Sequence, residues 1–159
     1  IVFCTHNFGS QDFINPRIVV YNVNGEVKSC PLGVSLQAQG AEFINGIYKL
    51  DNTHFAITSY SDQQLPLVLV LDTDSMETEL LDMEEATADL GAELSEINFS
   101  SPGNAYSNEL ALMWPKHLAT FDSETMTFKE AFNSDYCNMN QFILRDGTGL
   151  IGTLSLLPL

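Results

Sequence analysis

The residues of this chain best suited to chemistry are three carboxylates in one short segment. Asp72, Asp74 and Glu77 lie within "DTDSMETE", residues 72–79, and oxygen ligands at this density are those that Ca²⁺ prefers. The segment is not an EF-hand loop, because that loop needs a glycine and a glutamate where Glu77 and Met83 stand. We expect these carboxylates to hydrogen-bond to the backbone of their own turn and the protein to bind no cofactor. The alternative is a calcium ion bound by Asp72, Asp74 and Glu77.

No recognised catalytic motif accompanies these carboxylates. The sequence contains no GxSxG nucleophile motif, no P-loop and no GxGxxG dinucleotide motif. Serine, histidine and aspartate residues occur in number, but no spacing places three of them together. The sequence therefore leaves open whether the protein is an enzyme, and it favours a protein without catalytic activity.

Aromatic residues in loops and an apolar tail are the candidates for contact with a partner. Trp114, the only tryptophan, precedes Pro115, which favours either a surface loop or a buried packing role. Tyr106 lies in a small polar loop over residues 98–108, and "LIGTLSLLPL" at 150–159 is apolar and uncharged. Because an unpaired edge strand of that kind associates, we expect it to pair outside its own sheet. The predicted partner-binding residues are Trp114, Tyr106, Leu154, Leu156 and Leu157.

The charge of the chain limits its partners. Its 159 residues carry 21 Asp and Glu against 6 Lys and Arg, a formal net charge of −15. Such a surface repels phosphate backbones, and no apolar run reaches the roughly 20 residues of a membrane span. We therefore expect protein partners, in a homo-oligomer or a larger assembly, and neither nucleic acid nor membrane insertion. The compartment is left open, with the acidity and the sequon Asn98-Phe99-Ser100 favouring the cell exterior.

A repeated pattern of strand, turn and strand organises the chain. "RIVVYNVNGEVKS" at 17–29 aligns with "LVLVLDTDSMETE" at 67–79 and "HLATFDSETMTFK" at 117–129. In each copy an apolar run predicts a buried strand, a polar turn follows, and a more polar strand returns. Three copies in register predict one supersecondary unit used three times.

The three turns share one chemistry. They begin at Asn22, Asp72 and Asp122, which are 50 residues apart, and we expect the aspartates to accept hydrogen bonds from their own backbone. In the first copy Asn24-Gly25 is a hairpin signal, because both residues tolerate positive φ. The returning strands of the other two copies are expected to begin at Met76 and Met126.

Candidate strands upstream of each hairpin complete the pattern. "GIYKL" at 46–50 and "HFAITSY" at 54–60 precede the second hairpin, so a full copy holds four strands in about 50 residues, as a propeller blade does. With the four strands of a blade numbered 1 to 4, the chain holds strands 2-3-4 of the first blade, strands 1-2-3-4 of the second and third blades, and strands 1-2 of the fourth. This is a single repeat domain, 1–159, of about three and a half blades. The approximate repeats are 1–45, 46–94, 95–135 and the partial repeat 136–159.

The "strand, Asp-x-x-Thr-x-x, strand" pattern resembles β-propeller proteins with YVTN-type and quinoprotein-like repeats. The resemblance implies an all-β fold of antiparallel four-stranded blades in a partial or oligomer-completed β-propeller; a β-sandwich with repeated hairpins is the alternative. It implies a non-catalytic binding or assembly module that engages other protein chains. The alternatives are a calcium-dependent propeller hydrolase or lactonase and an extracellular ligand-binding sensor domain. On inner strands of such a fold, His6 and His54 would approach one another.

Two local features compete with or add to the strand pattern. Apolar residues at helical spacing over 76–94 predict a short helix at Glu84–Leu90, after a strand that runs to about Met83. Of the three cysteines, Cys4 and Cys30 are able to form a disulfide if their strands are neighbours, which leaves Cys137 free or intermolecular.

Overall fold

The computed structural model describes residues 2–5, 17–32, 36, 38–41, 44–99, 110–133, 141–145 and 148–152. Antiparallel β-strands dominate these ranges, which confirms the predicted all-β class. The strands are β1 (Val2–Thr5), β2 (Arg17–Tyr21), β3 (Val27–Pro31), β4 (Ile44–Lys49), β5 (His54–Tyr60), β6 (Pro66–Asp72), β7 (Thr78–Leu80), β8 (Asn98–Phe99), β9 (Ala111–Trp114), β10 (His117–Asp122), β11 (Thr127–Asn133), β12 (Gln141–Arg145) and β13 (Thr148–Gly152).

Within the described ranges the strands form four sheets of sequential neighbours. Sheet 1 has the order β1-β2-β3, sheet 2 the order β4-β5-β6-β7, sheet 3 the order β11-β10-β9-β8, and sheet 4 consists of β12 and β13. The predicted grouping of three, four, four and two strands is therefore confirmed. The strand order within the sheets supports the all-β class; it does not by itself define the sheets as propeller blades.

The chain divides into two compact units. The first comprises Ile1–Ile47 and Asp51–Leu81, and so holds sheet 1 and sheet 2 apart from the last residues of β4. The second comprises Tyr48–Leu50 and Asp82–Leu159, with sheets 3 and 4 and the helical turns. Each unit is described by itself below.

Strand β6 is the most buried element of the first unit. Its residues Pro66 to Leu71 are all buried, and it pairs with β5 along seven cross-strand pairs from His54↔Asp72 to Tyr60↔Pro66. A near-continuous Val and Leu run is typical of a strand covered on both faces. Because side chains alternate along a strand, Leu69 and its neighbours at 67 and 71 form one face, and Val68 and Val70 the other.

The core of the first unit lies between sheet 1 and sheet 2. Ile18 of β2, fully buried, belongs to one apolar cluster with Leu69 and Leu71 of β6. Val20 and Cys30 pack against the same cluster. We call the face of sheet 1 that bears Ile18 and Val20 its forward face, and the opposite face, with Arg17, Val19 and Tyr21, its back face. The back face of sheet 2 is its repeat equivalent and bears Leu67, Leu69 and Leu71.

Sheet 3 of the second unit also has two apolar faces. Ala111, Met113 and Leu118 form a buried cluster on one face, and Leu112 on the other is fully buried. The register between β10 and β11 shifts at Leu118 and Ala119, a bulge that bends the sheet locally.

The helical prediction is confirmed in position and shortened in extent. Helix α1 spans Met83–Ala86 and a 3-10 helix spans Ala88–Leu90, with Gly91 closing it at φ 65°. Asp82 caps α1, because its Oδ1 accepts the backbone N–H of Glu84 at 3.0 Å. That cap ends the preceding strand early, so the prediction of a strand to Met83 is wrong and β7 ends at Leu80.

Cys4 and Cys30 do not form the disulfide that was considered. Cys4 of β1 and Cys30 of β3 both lie opposite Ile18 of β2, so β2 separates them. Two strand spacings amount to about 10 Å, beyond the roughly 4.4–6.8 Å that a disulfide spans between Cα atoms. Cys30 is a free thiol, and burial raises its pKa while the Arg17 guanidinium acts in the opposite direction. Cys137 lies outside the described residues.

Candidate functional site

The three repeated turns are built by the same side-chain hydrogen bond. The backbone N–H of Asn24 donates to Asn22 Oδ1 at 2.9 Å, and that of Glu124 donates to Asp122 Oδ1 at 2.9 Å. In the second copy the backbone N–H of Asp74 donates to Asp72 Oδ1 at 2.8 Å. The prediction that Asp72 and Asp122 accept hydrogen bonds from the backbone of their own turns is confirmed.

The turns differ in length and in the residue that takes the left-handed conformation. Gly25 has φ 84°, whereas Met76 and Met126 have φ 63° and 57°. The first turn is one residue shorter, since Tyr21 pairs with Val27 but Leu71 pairs with Thr78.

One expectation about these positions is wrong. Met76 and Met126 close their turns and do not begin a strand, because β7 starts at Thr78 and β11 at Thr127. The hairpin predicted from Asn24-Gly25 is confirmed, since β2 and β3 pair around this turn, and the glycine is the residue of the pair with positive φ.

One of the three predicted calcium ligands, Asp72, has its carboxylate engaged in contacts within its own turn. Asp72 accepts from Asp74 N–H through Oδ1 and, at 3.1 Å, from the Ser75 hydroxyl through Oδ2. The Lys28 ammonium donates to the carbonyl oxygens of Thr73 and Asp74 at 3.2 and 3.1 Å. A cationic side chain of sheet 1 thus already binds the turn oxygens.

The described residues contain no group of three or more His, Cys, Asp or Glu side chains placed to hold a metal ion. The turn brings Asp72 and Asp74 together through a backbone bond and leaves the Glu77 carboxylate exposed. Calcium binding by Asp72, Asp74 and Glu77 stays a prediction.

An open recess of about 570 Å³ lies beside the second turn, on sheet 2. It is polar at one end, where His54 stands opposite Asp72 across the β5–β6 pair. Asp51 orients the imidazole, because its Oδ2 lies 2.9 Å from His54 Nδ1 and its Oδ1 accepts the Thr53 N–H at 2.8 Å. An open recess rich in carboxylates attracts cations. The residues that line it are His54, Val70, Asp72, Glu77, Thr78 and Glu79.

Turn carboxylates make the stability of this protein sensitive to acid. Backbone N–H groups of Thr53 and His54 lower the pKa of Asp51 to about 2. The Lys129 ammonium, followed by turn N–H groups, lowers the pKa of Asp122 to about 2. In the unfolded chain the pKa values of both carboxyl groups lie near 3.8. The unfolded chain therefore binds more protons than the folded chain between about pH 2 and pH 3.8. The stability that these two carboxylates contribute is therefore fully present above pH 3.8 and is lost as the pH falls towards about 2.

We expect the melting temperature of the wild type to fall steeply between those two pH values. Asp51→Asn and Asp122→Asn remove the titrating carboxylate but keep an acceptor oxygen, so each variant has a shallower fall. Exposed Asp89→Asn, in the 3-10 helix after α1, controls for the loss of one negative charge. Thermal melts followed by circular dichroism test this, and parallel curves for wild type and Asp122→Asn would contradict it.

Trp114 is buried in sheet 3, with 7% of its surface exposed. Its indole stacks on the His117 imidazole across the β9–β10 pair, with ring centroids 4.9 Å apart and planes 1° from parallel. His117 Nδ1 lies 2.5 Å from Glu130 Oε1. A partner-binding role for Trp114 stays a prediction, as do the roles of the four residues outside the described ranges, Tyr106, Leu154, Leu156 and Leu157.

The structure adds an apolar pair that the sequence did not single out. Tyr21 and Val27 face one another across β2 and β3, and they are 44% and 60% exposed. The signal in the sequence was the repeat alignment, which matches Tyr21 with Leu71, a fully buried residue. Val23, in the turn, is fully exposed.

Comparison of the chain with protein-family models, curated proteins and solved structures finds no match in any of the three. Among the described residues, every helix is too short or too polar to cross a membrane.

Proposed function

We propose that this chain is a non-catalytic binding and assembly module of β-propeller blades, which engages other protein chains through the faces of its sheets. The observation that carries the proposal is the packing of sheet 1 on sheet 2. Ile18 on the forward face of sheet 1 is buried in one cluster with Leu69 and Leu71 on the back face of sheet 2. Sheets that stack through apolar faces in this way are the building principle of propellers.

Polar contacts reinforce the same stacking. Lys28 lies on the forward face of sheet 1, since it pairs with Val20, and its ammonium binds the turn carbonyls of Thr73 and Asp74 in sheet 2. The apolar cluster and this contact together fix the register of one sheet on the next.

Both faces of the second sheet are apolar, which supports further stacking. Leu69 on the back face and Val68 on the forward face of β6 are each fully buried. A sheet apolar on both faces is stable only when both are covered. Sheet 2 is thus covered on both faces within the chain, and we propose that a sheet of the repeat without such a cover takes it from another protein chain.

The native mass of the purified chain tests this function. We expect light scattering after size exclusion to give a mass above the 17.6 kDa of one chain, rising reversibly with concentration across the micromolar range. Reversibility on dilution separates assembly from aggregation. A mass of 17.6 kDa at every concentration would contradict self-assembly through the sheet faces.

A further inference from the structure

We draw no further inference here: the strongest candidate, the open recess on sheet 2 lined by His54, Asp72, Glu77 and Glu79, carries none because it is a cluster of acidic side chains and nothing in the described part of the chain shows what binds there.

Discussion

Leu69→Ala lowers the free energy of unfolding by about 3 kcal/mol, within the roughly 2–5 kcal/mol span of buried leucine truncations. Leu69 is fully buried in the middle of β6 and belongs to the cluster shared by sheets 1 and 2. The substitution removes three carbons, one methine and two methyls, from between two sheets that are each held by their own hydrogen-bond ladder. The sheets cannot close the gap without breaking that register, so a cavity remains.

Urea denaturation followed by circular dichroism measures this loss. Leu69→Met keeps the volume and costs less than about 1.5 kcal/mol, which shows that the effect belongs to the cavity. Val23→Ala, at a fully exposed turn position, stays within about 0.5 kcal/mol of the wild type. A loss of less than about 1 kcal/mol for Leu69→Ala would mean that the space between the two sheets collapses freely.

Much of the fold follows from short-range pattern. The run of β6 is apolar at every position from Pro66 to Leu71, and its length and bounding turns suffice to predict a strand. The carboxylate of Asp122 is one methylene group away from the backbone of the turn that it stabilises, so the turn is also a local property. Strand order then follows where neighbouring strands are joined by short turns, as from β4 to β7, because such strands pair as hairpins.

Details that depend on competition between local signals were less predictable. A methionine in the left-handed region is uncommon because its Cβ crowds the following carbonyl oxygen, at a cost of about 1–2 kcal/mol. At Met76 the surrounding ladder overrides this preference, since its N–H donates to the Asp72 carbonyl at 2.8 Å. Likewise, Asp82 caps a helix directly after β7, although the repeat alignment predicts that the strand continues past this residue.

The candidate surfaces depend on long-range contacts that no local pattern contains. Lys28 is 45 residues from Thr73, whose carbonyl it binds, and nothing near it in the sequence indicates that role. The alignment shows that Tyr21 and Leu71 occupy equivalent positions, but residue type does not indicate that one is exposed and the other buried. Exposure depends on what covers a face, which is a property of the packed sheets.

A glycine beside sheet 2 gives the second prediction with a large effect. Gly40 has φ 70°, and a Cβ added there would lie 2.8 Å from Asp62 Cβ and 3.0 Å from Asp62 Cγ. The same segment is fixed by the Asp62 N–H, which donates to the Gln39 carbonyl at 3.4 Å. Gly40→Ala therefore meets two penalties, backbone strain of about 1–2 kcal/mol and overpacking of about 1–3 kcal/mol.

We expect Gly40→Ala to lower the free energy of unfolding by about 3 kcal/mol in urea denaturation. Gly91→Ala is the matched control, because Gly91 has φ 65° but no atom within 4 Å of the added Cβ; its loss is about 1 kcal/mol, from backbone strain alone. The lower entropy of unfolded alanine offsets both losses equally, so their difference isolates the contact with Asp62. Equal losses for the two variants would show that the Asp62 side chain moves aside freely. A smaller loss for Gly40→Ala in an Asp62→Gly background would locate the overpacking at the Asp62 Cβ itself.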